Sequence, residues 1–147
     1  MPYPIEVHHR IRRDELADYT QVARALDRCA SVVAIQHEYG IWGGEDGAHV
    51  LDFVRSLRVP AVATLHTVLR DPTEGQRTVL SELVALTDAT VVMSRSAGSI
   101  LRNVYGVDPQ RLHIIPHGVP DLPLVDPATV KTDLGLAGRD VILSFGL

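Results

Sequence analysis

Three short β-branched apolar runs, each ending in polar residues, recur along the chain: 31-SVVAIQH-37, 60-PAVATLH-66 and 89-ATVVMS-94. They begin about 29 residues apart, close to the ~30 residues of one strand–helix–strand unit. The runs are continuous rather than alternating, which is the pattern of a parallel sheet covered on both faces. That rhythm leaves few folds other than an α/β sheet with helical crossovers.

The segments between the runs carry helical periodicity. From Asp14, the residues Leu16, Tyr19, Ala23 and Leu26 share one face, and from about Gly47 the residues Val50, Val54 and Leu57 do the same. In the third segment Asp71 is placed to cap, Pro72 suits the first helical position and Glu74 completes a capping-box spacing ahead of Val79, Leu80, Leu83 and Val84. The fourth helix follows Ser94, with Ala97, Ile100, Leu101 and Val104 inward. Two more apolar runs, 112-LHIIP-116 and 141-VILSFGL-147, extend the series as strands, and Asp126-Pro127 opens a short helix that Gly135 closes. Tyr3 to Ile11 also reads as a strand. With nothing ahead of it to supply a first βα unit, and with a strand at the other end, the chain reads as a piece of a longer protein. The proline-spaced stretch 116-PHGVPDLPLVDP-127 has linker composition, so the expected division is a first domain over 1–124 and the start of a second over 125–147.

Composition narrows the function. At 147 residues, 46% hydrophobic and 22% charged, the chain suits one soluble core. The net charge of −4, with no block of Lys or Arg, argues against nucleic acid. No apolar run approaches the ~20 residues of a membrane span, and the first residues lack the apolar core of a secretory signal. Cys29 stands alone, so it forms no internal disulfide and no cysteine-based zinc site. A cytoplasmic setting is expected.

Ligands of open parallel sheets bind beyond the carboxyl ends of the strands. Here those ends carry His37-Glu38, His66-Thr67, Ser94-Arg95 and His117-Gly118. The stretch 43-GGEDG-47 follows the first of them. It is neither a P-loop nor a dinucleotide turn, and Glu45 and Asp46 would repel a phosphate. It is either a turn whose glycines let backbone approach a hydroxyl-rich ligand or a plain structural turn. No metal is expected: there is no H-E-x-x-H motif, and Pro116 takes His113 and His117 off a helix. No serine has the G-x-S-x-G setting of a hydrolase nucleophile.

Taken in order, "QHEYGIWGGEDG", "VATLHTVL", "VVMSRSAGSILRNVYGV", "LHIIPHGVPD" and "VILSFGL" resemble the N-terminal half of bacterial glycosyltransferases of family 4, also called group 1 glycosyl transferases. The resemblance runs from about Ser31 to Leu147. It implies the GT-B architecture: a Rossmann-like parallel sheet with helices on both faces, here a partial N-terminal domain plus the first strand of the second domain. It implies a retaining transferase that moves a sugar from a nucleotide-sugar donor to a sugar or glycan acceptor without a further cofactor. Peripheral membrane contact is compatible with it. His66 matches the family histidine of the T-x-H-T pattern that contacts the transferred sugar, which makes it the catalytic candidate. His37, Glu38, Gly43, Gly44, Thr67, Ser94, His117 and Gly118 are the substrate-binding candidates. Among them Ser94 is matched mainly to a helix-capping role, and Gly43 and Gly44 to a backbone shelf near the acceptor. The family's donor-binding residues would lie beyond Leu147, so the piece alone is expected to be inactive. The competing reading is a non-catalytic flavodoxin-like ligand-binding or interaction domain with the same βα rhythm. Donor sugar, acceptor and oligomeric state have no signature in the sequence.

Overall fold

A computed structural model describes residues 7–144. Four parallel strands, β1 (Val33–His37), β2 (Ala61–Leu65), β3 (Ala89–Val92) and β4 (Leu112–Ile114), lie side by side in chain order. The register pairs His37 with Leu65, Leu65 with Val92 and Val92 with Ile114, so all four carboxyl ends open on one edge. The connecting helices are α2 (His49–Ser56), α3 (Glu74–Leu86) and α4 (Arg95–Val104), and α1 (Leu16–Leu26) precedes β1.

Three parallel crossovers that step in the same direction bring their helices to one face of the sheet, because such connections are right-handed. The burial follows. Val33, Ile35 and His37, then Ala61, Ala63 and Leu65, then Thr90 and Val92 are buried. They share one core with Val50, Phe53 and Val54 of α2, Val79, Leu80 and Leu83 of α3, and Leu101 of α4. Cover over the alternate positions is thinner: Ala34 and Gln36 are exposed, and Val62, Thr64, Ala89 and Val91 are half-buried.

Local details correct several expectations. The third helix is capped by Thr73 rather than Asp71: the Thr73 hydroxyl accepts from the Gln76 N–H at 3.1 Å and the Gln76 side chain accepts from the Thr73 N–H at 3.0 Å. Two capping boxes overlap in 71-DPTEGQ-76, and the second satisfies two helix-end donors at once. Helix α2 starts at His49 because Asp46 and Gly47 are left-handed, with φ of 52° and 81°. Leu16 is 46% exposed rather than inward, so Tyr19 and Ala23 carry the buried face of α1.

No strand forms over residues 7–11, and Tyr3 to Glu6 fall outside the described residues. The backbone here is tied to α1 instead. Asp18 accepts from the Arg12 N–H at 3.0 Å and from its guanidinium at 2.8 Å, and these bonds hold its carboxyl down to about 2.

The residues up to His117 form one compact unit, and those from Gly118 a second. In the second, α5 (Pro127–Asp133) is capped by Asp126, whose carboxylate accepts from the Ala128 N–H at 3.1 Å. Gly135, at φ 68°, closes it. Residues 141–144 are not in a strand, and 145–147 fall outside the described residues. An apolar run becomes a strand only where neighbouring strands take up its backbone donors and acceptors, and none pairs with 141–144 among the described residues.

Candidate functional site

The sheet ladder continues one step past the strands, with the His66 N–H donating to the His37 carbonyl at 3.0 Å and the Ile115 N–H to the Val92 carbonyl at 2.9 Å. This fixes the backbone at the shared edge. Side chains then alternate between faces, which separates two histidines that adjoin in the ladder. His37 faces the helix-covered core and is 0% exposed. His66 faces the other way, exposed, together with Gln36.

Gln36 is the site residue that sequence reasoning passed over. Its side-chain carbonyl lies 2.7 Å from His66 Nε2, and its main-chain carbonyl accepts from the Trp42 indole N–H at 3.2 Å. Beside this pair, the Thr67 hydroxyl donates to Glu38 at 2.6 Å, and the other Glu38 oxygen accepts from the Tyr39 N–H at 3.2 Å. His117 approaches from the far side, its ring centroid 6.4 Å from that of His66. The edge therefore gathers Gln36, Glu38, His66, Thr67 and His117. These groups offer hydroxyl, amide, carboxylate and imidazole functions, the set that hydrogen-bonds polyols.

The remaining candidates sit differently. Both ring nitrogens of His37 lack a hydrogen-bond partner, and its ring meets Tyr39 edge-on at 5.1 Å. Burial, helped by nearby His66 and opposed by Glu38, lowers its pKa to about 4. A ring held neutral within the core is out of reach of a ligand at the surface. Ser94 caps α4, its hydroxyl accepting from the Ala97 N–H at 3.1 Å. Gly118 begins the second unit, and a side chain there would meet nothing within 4 Å.

The glycine-rich loop has a packing explanation. The Tyr19 hydroxyl, buried, donates to the Arg13 carbonyl at 2.7 Å and accepts from the Gly43 N–H at 2.9 Å. A Cβ at Gly43 would lie 1.7 Å from that same Arg13 oxygen, and one at Gly44 would lie 2.7 Å from the His49 ring. Further along, the Asp46 carboxylate rests against Gly75 in the first turn of α3, where a Cβ would meet it at 2.1 Å. There it complements the positive end of the helix dipole. An anion at that helix end would meet the Asp46 carboxylate.

A cavity of about 630 Å³ lies away from this edge, at the C-terminal ends of α1 and α2, lined by Arg24, Arg28, Arg55 and Arg58 among others. Cations at helix C-termini are accounted for by the helix dipole. Among the described residues, no group of three or more His, Cys, Asp or Glu side chains is arranged to hold a metal, and no helix is long and apolar enough to cross a membrane.

Comparison with known proteins places the chain in a family. The family model described as Glycosyltransferase Family 4 matches residues 2–121. The chain belongs to glycosyltransferase family 4. It is also similar to a D-inositol 3-phosphate glycosyltransferase from Xylanimonas cellulosilytica, 37% identical over 92 residues. That match covers 52% of this chain and 22% of the relative, so the family 4 chain spans about a fifth of the relative's length.

Proposed function

We propose that this family 4 chain is the acceptor-side portion of a GT-B glycosyltransferase. In the full-length enzyme it cooperates with a second domain to transfer a sugar from a nucleotide-sugar donor, with retention, to a hydroxyl-bearing acceptor. The observation that carries the reading is His66: in a chain matched by the family model, it is the exposed imidazole at the centre of the strand-end cluster.

Glycosyl transfer passes through an oxocarbenium-like state while negative charge builds on the leaving diphosphate. The resemblance to the family puts its donor-binding residues in the second domain, so diphosphate binding falls there. His66 orients hydroxyls of the transferred sugar. Glu38 and Thr67, held to each other, line the acceptor side, and His117 closes the far side. Gly43 and Gly44 act through the shape they give the loop rather than through direct contact. The relative's name makes a cyclic polyol phosphate the first acceptor to try. A nucleotide-sugar donor places the reaction in the cytoplasm.

The test is turnover of the full-length enzyme against a panel of nucleotide sugars and polyol acceptors, with and without His66→Ala. Loss of roughly 10²-fold in turnover, the scale of one positioned polar or acid–base group, is the expected result. Near-normal turnover in a folded variant would remove His66 from the chemistry.

A further inference from the structure

We propose that Gln36 is a positioning residue, which holds His66 in one tautomer and so makes its remaining ring nitrogen a hydrogen-bond acceptor. The inference rests on the proposed contact between His66 and sugar hydroxyls and specifies its polarity.

The argument starts from register. Gln36 pairs with Thr64 across β1 and β2, and His66 lies two residues beyond Thr64 on the same face. A glutamine side chain is long enough to span that diagonal, and it does, with Gln36 Oε1 2.7 Å from His66 Nε2. A carbonyl oxygen only accepts, so the hydrogen of this bond belongs to Nε2. A neutral imidazole carries one N–H, which leaves Nδ1 with a free lone pair.

Both partners are anchored from behind. The Gln36 main-chain carbonyl accepts from Trp42 Nε1, and the His66 N–H is tied to the His37 carbonyl. Trp42 in turn packs on Phe53 and Tyr19, with ring centroids 6.0 Å apart in each case. The imidazole is thus held through its backbone at one end and through Nε2 at the other, as the outer partners of catalytic histidines commonly hold them.

The consequence concerns the ligand. A ring nitrogen with a lone pair takes a group that donates a hydrogen, such as a sugar or polyol hydroxyl. It offers nothing to a phosphate or carbonyl oxygen at the same spot. The cluster therefore selects a hydroxyl at His66 Nδ1, consistent with a sugar and not with a diphosphate passing this edge.

The experiment reads the ring directly. In the 147-residue chain carrying ¹⁵N-histidine, long-range ¹H–¹⁵N correlation above the ring's titration range should show His66 with a protonated Nε2 and an unprotonated, widely separated Nδ1. Gln36→Leu should draw the two nitrogen shifts toward each other while the His37 signals stay in place. Gln36→Glu, which keeps an acceptor at that position, should preserve the Nε2–H form. In the full-length enzyme Gln36→Leu should lower kcat roughly tenfold, as loss of one positioning hydrogen bond allows, with a much smaller change in KM. Gln36→Glu should recover most of the loss.

A wild-type ring protonated at Nδ1, or shifts indifferent to Gln36→Leu, would overturn the assignment of Gln36. A locked tautomer combined with full activity for Gln36→Leu would instead overturn the contact between His66 and the sugar, so the two failures are distinguishable.

Discussion

Acidification should destabilise this domain through one residue, His37. Its ring is fully buried with neither nitrogen hydrogen-bonded, and burial lowers its pKa from the ordinary 6.5 to about 4. Between about pH 4 and 6.5 the unfolded chain therefore binds more of this proton than the folded one, and stability falls as pH falls through that window. The difference is about 2.5 pKa units, which at 1.36 kcal/mol per unit comes to about 3 kcal/mol once both states are protonated. Set against the 5–15 kcal/mol typical of a folded domain, that is a large fraction. Asp18, held down to about 2, loses its contribution only at lower pH, through the range below its ordinary 3.8, so the two effects separate. Urea unfolding at a series of pH values from about 7.5 to about 4.5, followed by circular dichroism, would measure wild type against His37→Leu. The leucine variant should be as stable as wild type or slightly more stable near pH 7.5, because it removes a polar group with no partner. It should also be more stable by about 2 kcal/mol or more near pH 4.5. Parallel pH profiles for the two proteins would refute the account of a neutral buried imidazole.

Three further outcomes are expected. Gly43→Ala should cost about 2 kcal/mol of stability, since its Cβ would run into the Arg13 carbonyl that also receives the Tyr19 hydroxyl. Gly40→Ala, with nothing within 4 Å of the added carbon, should stay within about 0.5 kcal/mol in the same urea assay. The isolated chain should bind nucleoside diphosphates with a Kd of about 1 mM or weaker by calorimetry, since the proposed function puts diphosphate binding on the second domain. Micromolar binding would move the donor site onto this domain.

The parallel sheet was legible because its strands announce themselves by spacing and apolar runs, both local properties. The four buried positions Val79, Leu80, Leu83 and Val84 of α3 followed from periodicity alone. What escaped was tertiary. The two capping signals in 71-DPTEGQ-76 share residues, and the choice of Thr73 becomes visible only in the bonds to Gln76. The glycine-rich loop left two readings open because the atoms that demand glycine there, the Arg13 carbonyl and the His49 ring, are set by folding. Gln36 lay inside an apolar run and its partner is 30 residues away. Counting in twos from the ends of the two runs would put His37 and His66 on one face, and only the register, which sets His37 opposite Leu65, brings Gln36 and His66 together instead. The run at 141–144 shows the reverse failure, in which strand-like composition pairs with no neighbour among the described residues.

The central claim is that the exposed edge around His66 receives the sugar. A crystal structure of the full-length enzyme with a non-transferable nucleotide-sugar analogue tests it most directly. The account predicts a sugar hydroxyl within about 3.2 Å of His66 Nδ1, with Gln36 still on Nε2 and the diphosphate held by the other domain. A sugar lying well clear of this edge, with His66 facing only water, would contradict it.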